Sequence, residues 1–468
     1  MTDTHDTTPT SPRAHTETNE RVDVVVVGGG TAGLQAARLL ARAGRRVVVL
    51  EKRVEGRSGA RWCNGVLDWQ LERAGLDLSW MGAGPLRGAS HMTSPTGAFR
   101  FTIAQNPILE ADMRALVEHL LGLALAAGVE LRWSVSELRV VQRGGRVVAL
   151  RGLRGGAPFT LSADLFVDAA GYRGVLRDQV ESLAASCPPC EPADLCSAQQ
   201  LMLAIDDEAG AREFLRAHGA QPGDVITRLA SAGGYSTVNV GVDPSFEHVS
   251  VLAGSIPAAG VPSGPQLVQQ VRDENPWMGE ILFGGGGLIP LRRVYDRFTA
   301  PGIALVGDAA CQVMTGHGSG IGFGLIAGKV LAEAVANASD PGDERSLRRY
   351  QASFLREFGG ILAGYDAIRR MSGALGSDGI EALFELGIFS EPMVRPGLDQ
   401  RLGALSPAQA LEAGWQLLRR PDLARVVVPA LVALGAARGL YMAYPSRPTP
   451  RALAAWQKVA AAILPRQG

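Results

Sequence analysis

Val22-Asp23-Val24-Val25-Val26-Val27 is a short apolar run that predicts a buried parallel strand. Leu34 to Arg42 reads as a helix, and Arg46 to Leu50 as the next strand, ending in Glu51. Residues 108–128 read as a helix with Leu116, Leu120, Leu121 and Leu123 apolar. Residues 129–168 hold alternating strands, the last being Leu165 to Asp168. Residues 195–295 hold β-like runs such as Thr237 to Val242 and His248 to Leu252, which predict an antiparallel sheet. Ile303 to Val306 is a further short strand, followed by a helix from Ile321 to Ala336. Helical patterning dominates from residue 341 onward, with Pro-rich punctuation near 445–450.

The turn between the first strand and the first helix is Gly28-Gly29-Gly30-Thr31-Ala32-Gly33. Strand, G-x-G-x-x-G turn, helix and a second strand ending in an acidic residue form a dinucleotide-binding unit. Gly28 permits the tight turn, Gly30 lets the backbone approach a pyrophosphate, and Gly33 lets helix and strand pack closely. The helix N-terminus offers unpaired N–H groups and a dipole end contributing about 0.3–1 kcal/mol toward an anion. Glu51 can accept hydrogen bonds from an adenosine ribose.

Composition narrows the picture. Lys+Arg and Asp+Glu are both 46, and the zero net charge argues against a nucleic-acid partner. Five cysteines in 468 residues do not make a disulfide framework, which suits a reducing cytoplasm. Residues 1–20 read as a disordered tail without the apolar core of a signal peptide. The longest uncharged apolar stretch, Val426 to Ala437, is broken by Pro429 and too short to cross a bilayer. Cys187-Pro188-Pro189-Cys190 has C-x-x-C spacing, but no second pair or nearby His completes a zinc set, so no metal is expected.

A second glycine-rich element identifies the cofactor. The Ile303 strand ends at Gly307-Asp308-Ala309-Ala310, and Gly316-His317-Gly318-Ser319-Gly320 opens the Ile321 helix. A simple nicotinamide dehydrogenase has no need of this element. The ribityl chain of FAD does need a fixed carboxylate, which Asp308 supplies. The following helix N-terminus can stabilise negative charge on the reduced ring. With Asp164 to Arg173 between them, the two motifs resemble the FAD-binding fold of p-hydroxybenzoate-hydroxylase-type monooxygenases, flavin-dependent halogenases and geranylgeranyl reductases.

Within that fold, Glu51-Lys52-Arg53, the Gly59 to Gly65 stretch containing Cys63, and Leu71 to Leu76 are similar to the geranylgeranyl reductase branch. Ile289-Pro290-Leu291-Arg292-Arg293 fits the same branch. The resemblance places a cysteine, here Cys63, near the flavin. The family's flavin-site arginine falls on Met113, leaving Arg114 as its substitute. The family's Tyr-x-Trp-x-Phe-Pro stretch is reduced here to Tyr235, and Thr315 stands where a proline is usual after the G-D motif. The halogenase Trp pair is absent from the sequence.

These residues imply an α/β protein: a glutathione-reductase-like FAD-binding Rossmann domain, an inserted antiparallel β substrate domain and a helical C-terminal region. The expected FAD domain comprises 21–80, 108–180 and 296–340, the substrate domain 81–107 and 195–295, and the helical region 341–468. The expected FAD contacts are Gly28, Gly30, Thr31, Ala32, Gly33, Glu51, Lys52, Arg114, Gly307, Asp308, Gly318, Gly320 and Ile321. The expected reaction is reduction of C=C bonds in an apolar, prenyl-like substrate by hydride transfer from flavin. Cys63, His91, Tyr235 and His317 are the candidate acids. One dinucleotide motif leaves NADPH or NADH to bind transiently as electron donor. The helical tail, with Arg419, Arg420, Arg425 and Arg438, is the place for peripheral membrane contact by an otherwise cytoplasmic protein. Two alternatives share the fold: a flavin monooxygenase acting on a small aromatic or natural product, and a non-catalytic prenyl-binding escort protein.

Overall fold

The computed structural model describes residues 18–81, 88–403, 406–446 and 449–464. Most of the expected N-terminal tail, 1–17, lies outside them. Residues 18–20, assigned to that tail, instead belong to the strand Thr18–Arg21, which pairs with Ala157–Ser162. Glu20 anchors it through Arg46 and through Arg132 at 2.5 Å.

Four valines, Val24–Val27, and the run Val47–Leu50 form adjacent parallel strands in register, Val24 opposite Val47 and Val27 opposite Leu50. Every residue of both is buried, as expected for strands covered on two faces. They lie in a six-stranded sheet in the order Thr299–Ala300, Ile303–Leu305, Leu165–Asp168, Val24–Val27, Val47–Leu50, Glu130–Arg132. All pairs are parallel except the first. The helices Thr31–Arg42 and Ile321–Val335 cover it together. Their contact is backbone-close at Gly328, where a Cβ would stand 2.9 Å from the Ala36 nitrogen.

The second large sheet has seven strands, in the order Met278–Pro290, Leu195–Ile205, His248–Ser255, Ser236–Val242, Val225–Leu229, Ser90–Thr93, Arg100–Ile103. It is antiparallel except where Ser90–Thr93 runs beside Val225–Leu229. Four consecutive glycines, Gly284 to Gly287, let the Trp62 ring lie against its edge strand. A Cβ on Gly285 would stand 2.7 Å from that ring.

Two predicted elements differ. The segment read as the start of a helix at 108 is the strand Leu109–Asp112, paired with Cys63–Val66. Buried Leu109 and Ala111 alternate there with Glu110 and Asp112. The helix begins at Met113, and the Asp112 carboxylate caps it by accepting from the Arg114 N–H at 2.8 Å. Pro429 does not end its apolar run, which lies inside the helix Pro421–Met442. This helix is long and apolar enough to cross a membrane by length and composition. One side of it is nevertheless packed in the protein, against Gly360–Glu385, where a Cβ on Gly360 would stand 2.9 Å from the Arg438 Cα.

Candidate functional site

The two large sheets and the C-terminal helices enclose a cleft of about 1680 Å³. That exceeds the range of roughly 300–1,000 Å³ for a single drug-sized ligand. The first motif forms one end. Gly28 has φ +110°, and a Cβ on it would stand 2.4 Å from the Ala169 carbonyl oxygen. A Cβ on Gly33 would stand 2.0 Å from the Gly28 oxygen, so helix and strand close on each other here. A Cβ on Gly30 would meet nothing within 4 Å and would project into the cleft. Gly30 caps the helix Thr31–Arg42 without a side-chain hydrogen bond, and Thr31 and Ala32 line the cleft beside it.

Glu51 ends its strand with a buried carboxylate that accepts from the backbone N–H groups of Gly29 (2.7 Å) and Arg53 (2.9 Å). It braces the glycine loop and still faces the cleft, with exposed Lys52 next to it. At the second motif, Gly307–Ala310 forms a 3-10 turn. Gln312 supports it by accepting from the Gly307 N–H at 2.6 Å while donating to the Tyr350 hydroxyl at 3.1 Å. Asp308 opens onto the cleft, and its carboxylate has no hydrogen-bond partner among the described residues. Burial pushes its pKa up to about 6. An unpartnered carboxylate facing a polyol-sized space and a bare cradle at Gly30 fit FAD, one offering acceptors to ribityl hydroxyls and the other room for the pyrophosphate.

Gly318, Gly320 and Ile321 line the adjoining wall. Gly318 has φ +74°, and a Cβ on it would stand 3.6 Å from the Tyr235 hydroxyl. His317 also lines the cleft, but its Nε2–H donates to the Gly397 carbonyl at 3.2 Å. Burial lowers its pKa to about 4, so the ring is neutral near pH 7. Cys63 lines the cleft on the strand to which this loop is bonded through Ser319 and Gly65. Its backbone N–H donates to Gln200 Oε1 at 2.9 Å, and its thiol shares a strand face with the Glu110 carboxylate. Burial, then the Glu110 and Asp112 charges, push the Cys63 thiol well above its ordinary range.

Two expected site residues lie elsewhere. His91 is buried with Nε2 2.9 Å from Asp224 Oδ2 and Nδ1 3.1 Å from the Thr102 hydroxyl. Strand alternation gives its neighbours Ser90 and Met92 the cleft face instead. Arg114 forms a fork onto Asp112, with its guanidinium 3.5 Å from the centre of the Phe283 ring. It does not line the cleft. The C-x-x-C cysteines do not face each other either. Cys187 donates to the Arg297 carbonyl, while the Cys190 sulfur lies 3.8 Å from that of Cys311.

Sequence reasoning missed Glu110. It lines the cleft beside Cys63 and accepts from the Ser250 hydroxyl at 2.7 Å. Ser250 accepts in turn from Gln200 Nε2 at 3.2 Å, so a chain of hydrogen bonds runs from the Cys63 backbone through Gln200 and Ser250 to Glu110. The Leu-Glu-Ala-Asp alternation was its available signal. Apolar side chains also line the cleft, among them Leu383, Phe389, Met393, Val427, Leu431 and Leu434.

Comparison with known proteins gives a consistent result. Residues 23–74 match the family model of an FAD binding domain. A digeranylgeranylglycerophospholipid reductase of Methanopyrus kandleri is 28% identical over 72% of this chain and 83% of its own. One from Sulfolobus acidocaldarius is 23% identical over 94% of this chain and 96% of its own. A geranylgeranyl bacteriochlorophyll reductase-like protein of Thermoplasma acidophilum shares the fold with a TM-score of 0.67 at 19% identity, covering 88% of this chain and 100% of its own. A myxobacterial chondrochloren halogenase shares it with a TM-score of 0.57 at 17% identity, covering 93% of this chain and 99% of its own.

Proposed function

We propose that this chain, a member of the geranylgeranyl reductase-like FAD-dependent oxidoreductases, saturates carbon–carbon double bonds in a lipid carrying isoprenoid chains. The observation that carries the reading is the continuity of the cleft. The Gly30 cradle, the Asp308 carboxylate and the apolar Phe389, Met393 and Leu431 all line a single space. A polyprenyl chain matches the apolar lining, and its double bonds can be brought to the wall between Cys63 and the His317 loop.

The residues divide the work. Gly28, Gly30, Thr31 and Ala32 would hold the pyrophosphate, Glu51 and Lys52 the adenosine end, and Asp308 the ribityl chain. Gly307, Gly318, Gly320 and Ile321 shape the wall for the ring, and Gly33 packs the helix that carries the cradle. Bound FAD supplies a hydride when reduced. Cys63 is the group placed to give the accompanying proton. Tyr235 and His317 line the same wall, and the commitment of His317 to Gly397 suits it to fixing the loop. NADPH or NADH would deliver electrons at the cleft mouth, since the one dinucleotide motif is taken by FAD. The seven-stranded sheet and the C-terminal helices would form the substrate-facing side.

The lipid would be met at a membrane surface from the cytoplasmic side. Leu411, Trp415 and Leu418 are exposed along one stripe of the helix Pro407–Leu418. Val428 and Val432 extend the exposed apolar surface on the next helix, whose Val427, Leu431 and Leu434 line the cleft. Exposed Arg419 and Arg425 complement anionic headgroups. Five free cysteines suit a reducing compartment.

The test is anaerobic reduction of the FAD-loaded enzyme followed by addition of a geranylgeranyl lipid. Return of the oxidised-flavin spectrum together with a saturated product supports the reading. An oxygen-dependent hydroxylated product without saturation would replace it with a monooxygenase.

A further inference from the structure

Glu110 stands on the strand Leu109–Asp112 opposite Gly65, next to the Cys63–Asp112 pair. Leu109 and Ala111 point into the core, so Glu110 shares the cleft wall with Asp112. Three groups converge on its carboxylate. The strand register puts the Cys63 thiol beside it on the same face, the Ser250 hydroxyl donates at 2.7 Å, and His248, on the same strand as Ser250, adds a charge that favours the carboxylate. Asp112 and Arg114 are the other charged groups facing Cys63, and they are locked onto each other at 2.6 Å. The strand of Cys63 is itself fixed to the flavin loop, because the Ser319 hydroxyl donates to the Gly65 carbonyl at 3.1 Å. The Glu110 carboxyl, on the same strand face as the proposed proton donor, thus sits on the cleft wall, with access to water through the cleft.

We propose that Glu110 is the positioning acid of this site: it holds the Cys63 thiol in place and returns a proton to the sulfur when the thiol gives one to the substrate. The inference rests on the reductase reading above. The double bond gains two hydrogens. One comes with an electron pair as hydride from the reduced cofactor, and the other is the Cys63 proton. The electron pair of the broken S–H bond stays on sulfur. It forms a new S–H bond as the Glu110 O–H bond breaks, and the Glu110 carboxylate is then protonated from water.

The charge state of Glu110 decides whether this works. The Glu110 side chain is exposed at the cleft wall, and partial loss of water there raises its pKa against the opposing influence of Ser250, Cys63 and His248. An ionised Glu110 would force a thiolate to form beside a carboxylate, adding to the burial that already raises the Cys63 pKa. A protonated Glu110 cancels the charge on sulfur as it forms. Turnover therefore falls as pH rises through the Glu110 pKa.

Glu110→Gln in the full-length FAD-loaded protein tests this with two readouts. Alkylation of Cys63 by iodoacetamide above the Glu110 pKa, where the wild-type carboxylate is ionised, followed by peptide mass spectrometry, is expected to accelerate about tenfold for each unit by which the Cys63 pKa falls. Reoxidation of the reduced enzyme by a geranylgeranyl lipid is expected to slow at least tenfold and to lose its alkaline limb. Ser250→Ala removes a donor to the carboxylate, so its alkaline limb moves to higher pH with FAD affinity unchanged. It keeps the test open if the Gln variant misfolds. Unchanged Cys63 alkylation in Glu110→Gln, or a wild-type pH profile in both variants, would overturn the proposal. If the lipid reoxidises not even the wild type, the reductase reading fails, while the alkylation rates still decide whether Glu110 controls Cys63.

Discussion

The Ser319 hydroxyl donates to the Gly65 carbonyl at 3.1 Å, joining the loop after Asp308 to the strand that carries Cys63. These segments are separated by more than half the chain. One hydrogen bond therefore sets the distance between the wall assigned to the flavin ring and the thiol assigned as proton donor. Coupling of this kind gives the site a defined geometry before any ligand arrives.

Asp308 is costly to the free protein and useful to the complex. Its pKa is raised from 3.8 to about 6 in the fold, so the folded state holds the proton more tightly than the unfolded state. Stability from this group is full below the unfolded value and is lost as pH rises to about 6. Asp308→Asn is expected to raise the Tm of the FAD-free protein at pH 8 and to leave it unchanged at pH 3.5. The same variant should bind FAD about 10- to 100-fold more weakly, the equivalent of about 1.5–3 kcal/mol of charged hydrogen bonding. Thermal melts at the two pH values and fluorescence titration with FAD check both halves.

Gly30 and Gly33 should fail in opposite ways. A Cβ at Gly30 points into open cleft, so Gly30→Ala should keep its Tm within about 1 °C and lose FAD binding. A Cβ at Gly33 would stand 2.0 Å from the Gly28 oxygen, so Gly33→Ala should lower stability by about 2–4 kcal/mol before any cofactor is added. Denaturant unfolding of the FAD-free forms separates the two.

Cys190 should be the reactive thiol. The hydrogen bond from Cys311, with the charges of Arg292 and Arg177, lowers its pKa to about 7. Burial raises Cys63, Cys187, Cys196 and Cys311. Alkylation at pH 7.5 is expected to modify Cys190 first, to slow about tenfold per unit below pH 7, and to lose its fast phase in Cys190→Ser. Peptide mass spectrometry locates the label.

The exposed stripe of Leu411, Trp415 and Leu418 should bind membranes. Co-sedimentation with phosphatidylglycerol vesicles is expected for the wild type and lost in Trp415→Glu/Leu418→Glu. Arg419→Ala should weaken it about fivefold, near 1 kcal/mol, with salt reducing the difference. Concentration-dependent dimerisation of the wild type without vesicle binding would assign the stripe to a second copy instead.

The glycines of both motifs were legible because they stand between a short apolar strand and a helix, where glycine has few substitutes. Asp308 was legible for the same reason, standing just beyond a strand end. Glu110 was not, since a four-residue strand running directly into a helix leaves too little alternation to separate period 2 from period 3.6. His91 went to the wrong face because its orientation depends on pairing with Val225–Leu229, more than a hundred residues away. Arg114 is held by Asp112, two residues before it, and that local pair outcompetes the cleft. Pro429 survives inside a helix because the Gly360–Glu385 helix packs alongside and fixes its course.

The most direct test of the central claim is a single anaerobic turnover. Enzyme loaded with FAD is reduced, freed of excess reductant, mixed with a lipid bearing geranylgeranyl chains, and followed by absorbance and product mass. The account predicts return of the oxidised-flavin band with a product heavier by two hydrogens for each flavin reoxidised. A band that stays bleached until oxygen is admitted, with the lipid unchanged, would contradict it.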